Sequence, residues 1–197
     1  MEVQFVKYWI VEIARGKRVC SSSMKETAIA YWLIPAEPAR SFFERTIVDL
    51  ARRYNAPVFE PHMTIYVGLD RVEAEEVIAK AVSGCRFVQA KVLKVSQSGE
   101  FIKTLFVQFA MDGKLQQLNE MIRDAAQNSF DYQLKPHLSL LYKKMSILER
   151  RQLAHLIKLP FLEVTFDSIK AVRCTSPTRT RADVEAWRVM ATKALSG

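Results

Sequence analysis

The sequence predicts an α+β fold built on antiparallel sheets, and three observations carry that reading. Strand-like and helix-like runs alternate without the glycine fingerprint of a doubly wound sheet, one pair of strand runs is joined as a hairpin, and a short histidine motif occurs twice. The six glycines are scattered, so the Gly-rich loop of a P-loop nucleotide hydrolase is excluded.

Residues 1–26 differ from the rest of the chain: Val3 to Ile13 is apolar and aromatic, and Arg15 to Ser23 is basic and polar. They read as an N-terminal extension, with Met24 as a plausible alternative start, and residues 27–197 read as a single bilobal domain. The β-prone run Thr27 to Ile34 is a strand closed by Pro35 and Pro38. Phe43, Ile47, Leu50 and Tyr54 share one helical face, which predicts a helix over Ala39 to Tyr54. Pro57 and Pro61 lead into a short strand, Met63 to Gly68.

Asp70 and Glu73 have capping-box spacing and place a second helix over Val72 to Ser83. Phe87 to Ser96 and Phe101 to Ala110 flank a turn at Gln97 to Glu100 and form the hairpin. Leu115, Leu118, Ile122 and Ala125 define a helix near Gly113 to Asn128, before a strand entered through Pro136. Ser146 and Glu149 cap a fourth helix, and Leu162 to Arg173 and Val184 to Ala191 have strand character.

Lys and Arg outnumber Asp and Glu by 29 to 21, and the net charge of +8 favours anionic partners such as nucleotides or nucleic acid. Cys20, Cys85 and Cys174 show no C-x-x-C spacing, so neither a disulfide framework nor a cysteine zinc site is expected, and a reducing cytoplasm fits. No apolar run approaches the ~20 residues of a membrane span, and the early positive charges come after the apolar stretch instead of preceding it as in a signal peptide. The expectation is a cytoplasmic monomer with no membrane association.

Pro61-His62-Met63-Thr64-Ile65 and Pro136-His137-Leu138-Ser139-Leu140 share the pattern Pro-His-apolar-hydroxyl-apolar, and hold two of the three histidines. Strand side chains alternate, so each histidine and the hydroxyl two residues on project from one face while the apolar residues bury the other. Two copies imply two similar lobes facing each other across a cleft, where a phosphate meets two imidazoles and two hydroxyls. A metal site competes, because histidine is a common ligand. Neither His-x-x-x-His nor clustered carboxylates accompany the pair, although Glu60 is placed to orient or ligate beside His62 where His137 has Lys135. A serine hydrolase lacks its Gly-x-Ser-x-Gly elbow, and His155 has no comparable setting.

These motifs resemble those of the two-histidine phosphoesterases, above all their cyclic phosphodiesterase branch. AYWLIP, FEPHMTI, VLKVSQSGEFIKTLFVQF, KPHLSLLY and VEAWRVM carry the likeness over about Ala28 to Ala191. The resemblance implies two antiparallel-sheet lobes related by pseudo-twofold symmetry, sheets lining a central cleft and helices outside. It also implies a reaction without metal or cofactor on 2',3'-cyclic nucleotides or ADP-ribose 1'',2''-cyclic phosphate. Carried onto this chain, His62 and His137 are catalytic, Thr64 and Ser139 bind phosphate, and Tyr142 contacts ribose or base. Symmetry does not say which histidine is the base; the working assignment gives His137 the water and His62 the leaving oxygen. The alternatives are an RNA end-processing or 2',5'-RNA ligase-like enzyme using Lys135, Lys143, Lys144, Arg173, Arg179 and Arg181, and a nucleotide- or RNA-binding module without turnover.

Overall fold

In the computed structural model, which describes residues 25–70, 72–127 and 132–195, the chain runs twice through one strand–helix–strand–helix–strand order. The first pass is β1 (Glu26–Pro35), α1 (Ala39–Tyr54), β2 (Met63–Leu69), α2 (Ala74–Ala81) and β3 (Val88–Gln97). The second is β4 (Leu105–Phe109), α3 (Gly113–Ala125), β5 (His137–Leu141), α4 (Ile147–Leu156) and β6 (Glu163–Ser176), and the chain then closes with α5 (Arg181–Glu185) and β7 (Arg188–Ala194).

Every strand pairing is antiparallel. One lobe has the order β2-β1-β6-β7 and the other β5-β4-β3. They join where the start of β6 pairs with β3 before continuing along β1, and at the single contact Met63↔Leu138 between β2 and β5. The predicted α+β fold of two antiparallel lobes is therefore present, with the lobes sharing one seven-stranded sheet.

β1 is buried from Ala28 to Pro35, which is why its sequence reads as an unbroken apolar run and not as an alternation. Ile29, Tyr31 and Leu33 enter the main core, whereas Ala30, Trp32 and Ile34 form a second cluster with Val172 on the opposite face. α1 matches its predicted bounds, buries Phe43, Ile47 and Leu50, and ends at Asn55 in the left-handed region (φ 49°) with Arg52 and Arg53 in its last turn, complementing the helix dipole. The helices cross over: α1 packs on β5 and α3 on β2, tying each repeat to the other. The capping box of Ser146 and Glu149 forms as the sequence indicates.

Three local expectations fail, each for a physical reason. α2 starts at Ala74 without a side-chain cap, because Asp70 accepts a 2.9 Å bond from Arg173 on β6 instead of capping. The hairpin turn extends through a 3₁₀ turn, Phe101–Lys103, held by the buried Thr104 hydroxyl, which donates to the Lys143 carbonyl at 2.6 Å and lies 3.2 and 3.0 Å from the carbonyls of Glu100 and Phe101. Val184 lies in α5 and not in a strand, because Thr180 and Asp183 form a capping box that delays the last strand to Arg188. The expectations for Cys20, Met24 and Asn128 lie outside the described residues. Among the described residues no helix is long and apolar enough to cross a membrane.

Candidate active site

His62 immediately precedes β2 and His137 opens β5, and each strand carries the same irregularity behind its histidine. On β2 the register runs Tyr31↔Tyr66 and then Trp32↔Thr64, leaving Ile65 unmatched. On β5 it runs Leu105↔Leu141 and then Phe106↔Ser139, leaving Leu140 unmatched. The unmatched residue lies three positions after the histidine in both copies, as a β-bulge does when it re-aims side chains beside a site. In the first copy its carbonyl is satisfied from outside the sheet: buried Asn119 of α3 donates to Ile65 O at 2.7 Å.

The bulges set an aromatic ring across from each hydroxyl and beside each imidazole. Trp32 stacks on His62 with centroids 3.7 Å apart and an interplanar angle of 10°. Phe106 meets His137 edge-on at 5.5 Å. Trp187 and Phe59 close round His62 at 5.9 and 6.2 Å, leaving it 6% exposed, whereas His137 is half-buried.

Both imidazoles are oriented the same way. His62 Nδ1 donates to Glu60 O at 2.6 Å, and His137 Nδ1 donates to Lys135 O at 2.7 Å. A carbonyl only accepts, so these bonds fix the proton on Nδ1 and leave Nε2 of the neutral ring as a base, or as an acid once protonated. Sequence spacing drew attention to the Glu60 side chain, but the group used is the backbone carbonyl two residues before each histidine. The Glu60 carboxylate instead takes Lys170 Nζ at 2.6 and 2.8 Å, which anchors that carbonyl's segment to β6.

Burial pushes His62 from 6.5 down to about 4; the Glu60 carbonyl opposes this and His137 adds to it. His137 is also lowered, first by burial and then by Lys103, against the Lys135 carbonyl and Glu100. The pairing Met63↔Leu138 between β2 and β5 joins the residues that directly follow the two histidines, which brings both imidazoles to one seam.

The two hydroxyls are not equivalent. Ser139 Oγ donates to Ile102 O at 2.9 Å, and the Tyr142 hydroxyl lies near it. The Thr64 hydroxyl makes no hydrogen bond among the described residues. Tyr142 is 3% exposed and stacks on Phe59 at 3.8 Å, with Phe101 and Trp187 near its ring, and burial raises its hydroxyl pKa well above the usual value. The structure thus brings together the histidines, both hydroxyls and Tyr142, with the tyrosine under the serine instead of open to solvent.

Sequence reading missed Trp32, Trp187, Phe59 and Thr104 as shapers of the site. Trp32 carried one signal, since it occupies the face of β1 opposite the main core. The others depend on contacts distant in sequence. Among the described residues no group of three or more His, Cys, Asp and Glu is arranged to hold a metal ion, and Cys85 and Cys174 are free thiols.

Comparison with known proteins agrees with this arrangement. The family model described as cyclic phosphodiesterase-like protein matches residues 27–195. A cyclic phosphodiesterase of Arabidopsis thaliana is 23% identical over 173 residues, covering 85% of this chain and 95% of the relative. Escherichia coli LigT complexed with 3'-AMP superimposes with a TM-score of 0.55 at 13% identity, covering 88% of this chain and all (100%) of LigT. TT0787 of Thermus thermophilus gives a TM-score of 0.54 at 18% identity over 88% of this chain and 99% of its own.

Proposed function

The chain belongs to the cyclic phosphodiesterase-like family and is a phosphodiesterase, and we propose that it opens a cyclic phosphate on a ribose, yielding a phosphomonoester without a metal. The observation that supports this most is the matched orientation of the histidines: both commit Nδ1–H to a carbonyl two residues back and keep Nε2 for one shared site.

Water attacks phosphorus, its proton passes to one Nε2, and the ester bond to one ribose oxygen breaks as the other Nε2–H protonates that oxygen. The sum is addition of one water, and each proton transfer contributes ~10²- to 10⁴-fold. Burial favours His62 as the base, because a ring held at about 4 is neutral near pH 7, and the more open His137 as the acid. This reverses the working assignment made from the sequence. Thr64 supplies a donor to a non-bridging oxygen, and Ser139 joins it by turning from Ile102. Residues 27–197 act as one bilobal unit in this reading, with a nucleotide-like ligand between the lobes.

The test is incubation with 2',3'-cyclic mononucleotides and with ADP-ribose 1'',2''-cyclic phosphate in EDTA, then phosphorus NMR. Turnover that disappears in His62→Ala and in His137→Ala is expected, and the product identifies the bond broken. Near-full activity in either variant overturns the paired role.

A further inference from the structure

A cavity of about 370 Å³ is lined by His137 but not by His62. Its walls include Lys103 and Gln108 on the β4 side, Lys135 beside the second motif, and Leu93, Phe106 and Met111. Lys103 Nζ stands 5.0 Å from the Phe106 ring centroid, and Phe106 touches His137 edge-on, so this ammonium is one ring away from the imidazole. Among the described residues neither Lys103 nor Lys135 has a carboxylate within ion-pair distance, whereas Lys170 and Arg173 do. Two cations without an ion-pair partner among the described residues, on a cavity with apolar walls, match an anionic group borne on a less polar body.

We propose that this cavity is a subsite for a second phosphate on the substrate, namely the 5'-phosphate of the ribose whose cyclic phosphate lies at His62 and His137. The proposal rests on the reading of the site as a cyclic phosphodiesterase. It makes a 5'-phosphorylated 2',3'-cyclic nucleotide a better substrate than its 5'-hydroxyl counterpart. It assigns that selectivity to Lys103 and Lys135, while the acid–base pair stays with the histidines. The ribose ring and base then have Phe106, Leu93 and Met111 to lie against; Leu93 is 52% and Met111 45% exposed, as expected of a face a ligand covers.

The test compares kcat/KM for adenosine 2',3'-cyclic phosphate with and without a 5'-phosphate. In the unmodified protein the phosphorylated substrate is expected to be favoured about five- to tenfold, the size of one partly solvated charge-assisted contact. Leu93→Glu sets a carboxylate in the wall and is expected to erase the preference, while Leu93→Lys enlarges it, the preference being read within each variant as the ratio of kcat/KM for the two substrates. Equal kcat/KM for both substrates in the unmodified protein, with turnover intact, overturns the subsite and leaves the phosphodiesterase reading standing. A preference unmoved by both Leu93 substitutions also overturns it. Absence of turnover with either substrate removes the parent reading and the subsite together.

Discussion

Lowering the pH from 7 to 5 should destabilise this protein through His62 in particular. The imidazole has a midpoint near 6.5 when the chain is unfolded and about 4 when folded, so protons bind the unfolded state first. The stabilisation is fully present above 6.5, declines as pH falls and is exhausted near 4. Integrated over the whole window it is on the order of 3 kcal/mol, of which about 2 kcal/mol is lost between pH 7 and 5. The Trp32 face opposes this by favouring an imidazolium through a cation–π contact, about 0.5–2 kcal/mol, which reduces the loss without reversing it. Buried Asp183 does not confuse the measurement. Lys25 and the Arg179 amide hold its carboxyl well below the usual range, so its contribution is lost only as pH falls below about 4. Urea unfolding at pH 7, 6 and 5, beside His62→Gln, reads out the difference, and histidine NMR titration reads the midpoint directly. A His62 midpoint near 6.5, or an identical pH dependence in His62→Gln, refutes the burial argument and the choice of His62 as base.

His62→Ala and His137→Ala should each lower kcat/KM by ~10²- to 10⁴-fold with unchanged circular dichroism, and a smaller loss than that points to a different proton carrier. Ser139→Ala strips the Ile102 carbonyl of its donor and should cost about 1–3 kcal/mol in urea unfolding. Thr64→Ala should instead leave stability within about 0.5 kcal/mol and impair substrate turnover; equal stability losses contradict the asymmetry. Asn119→Leu leaves the Ile65 carbonyl without its donor, with an expected cost of about 1–3 kcal/mol and reduced activity. Full activity at the original stability shows that the first bulge does not depend on that bond.

The features readable in the sequence are those written in local periodicity. α1 was set by Phe43, Ile47 and Leu50, the α4 cap by Ser146 and Glu149, and the strand faces of both histidines by spacing of two. What escaped depends on partners far along the chain. Asp70 looks like a cap until β6 brings Arg173 to it, and Thr104 looks like any strand threonine until Lys143 arrives on the other side of its hydroxyl. The Glu60 side chain drew attention because side chains carry identity, yet the orienting atom is a backbone oxygen that every sequence possesses.

The unlike rings beside the histidines have a consequence for how such a site becomes directional. The frames of the two copies coincide down to the position of the unmatched residue, so a perfectly doubled version would hold two interchangeable imidazoles and no fixed direction of proton flow. Here Trp32 covers one ring face-on and Phe106 touches the other only at its edge. The neighbours, rather than the histidines themselves, break the tie, and a change confined to residue 32 or 106 is the smallest edit by which a descendant could exchange donor and acceptor while keeping every reacting group.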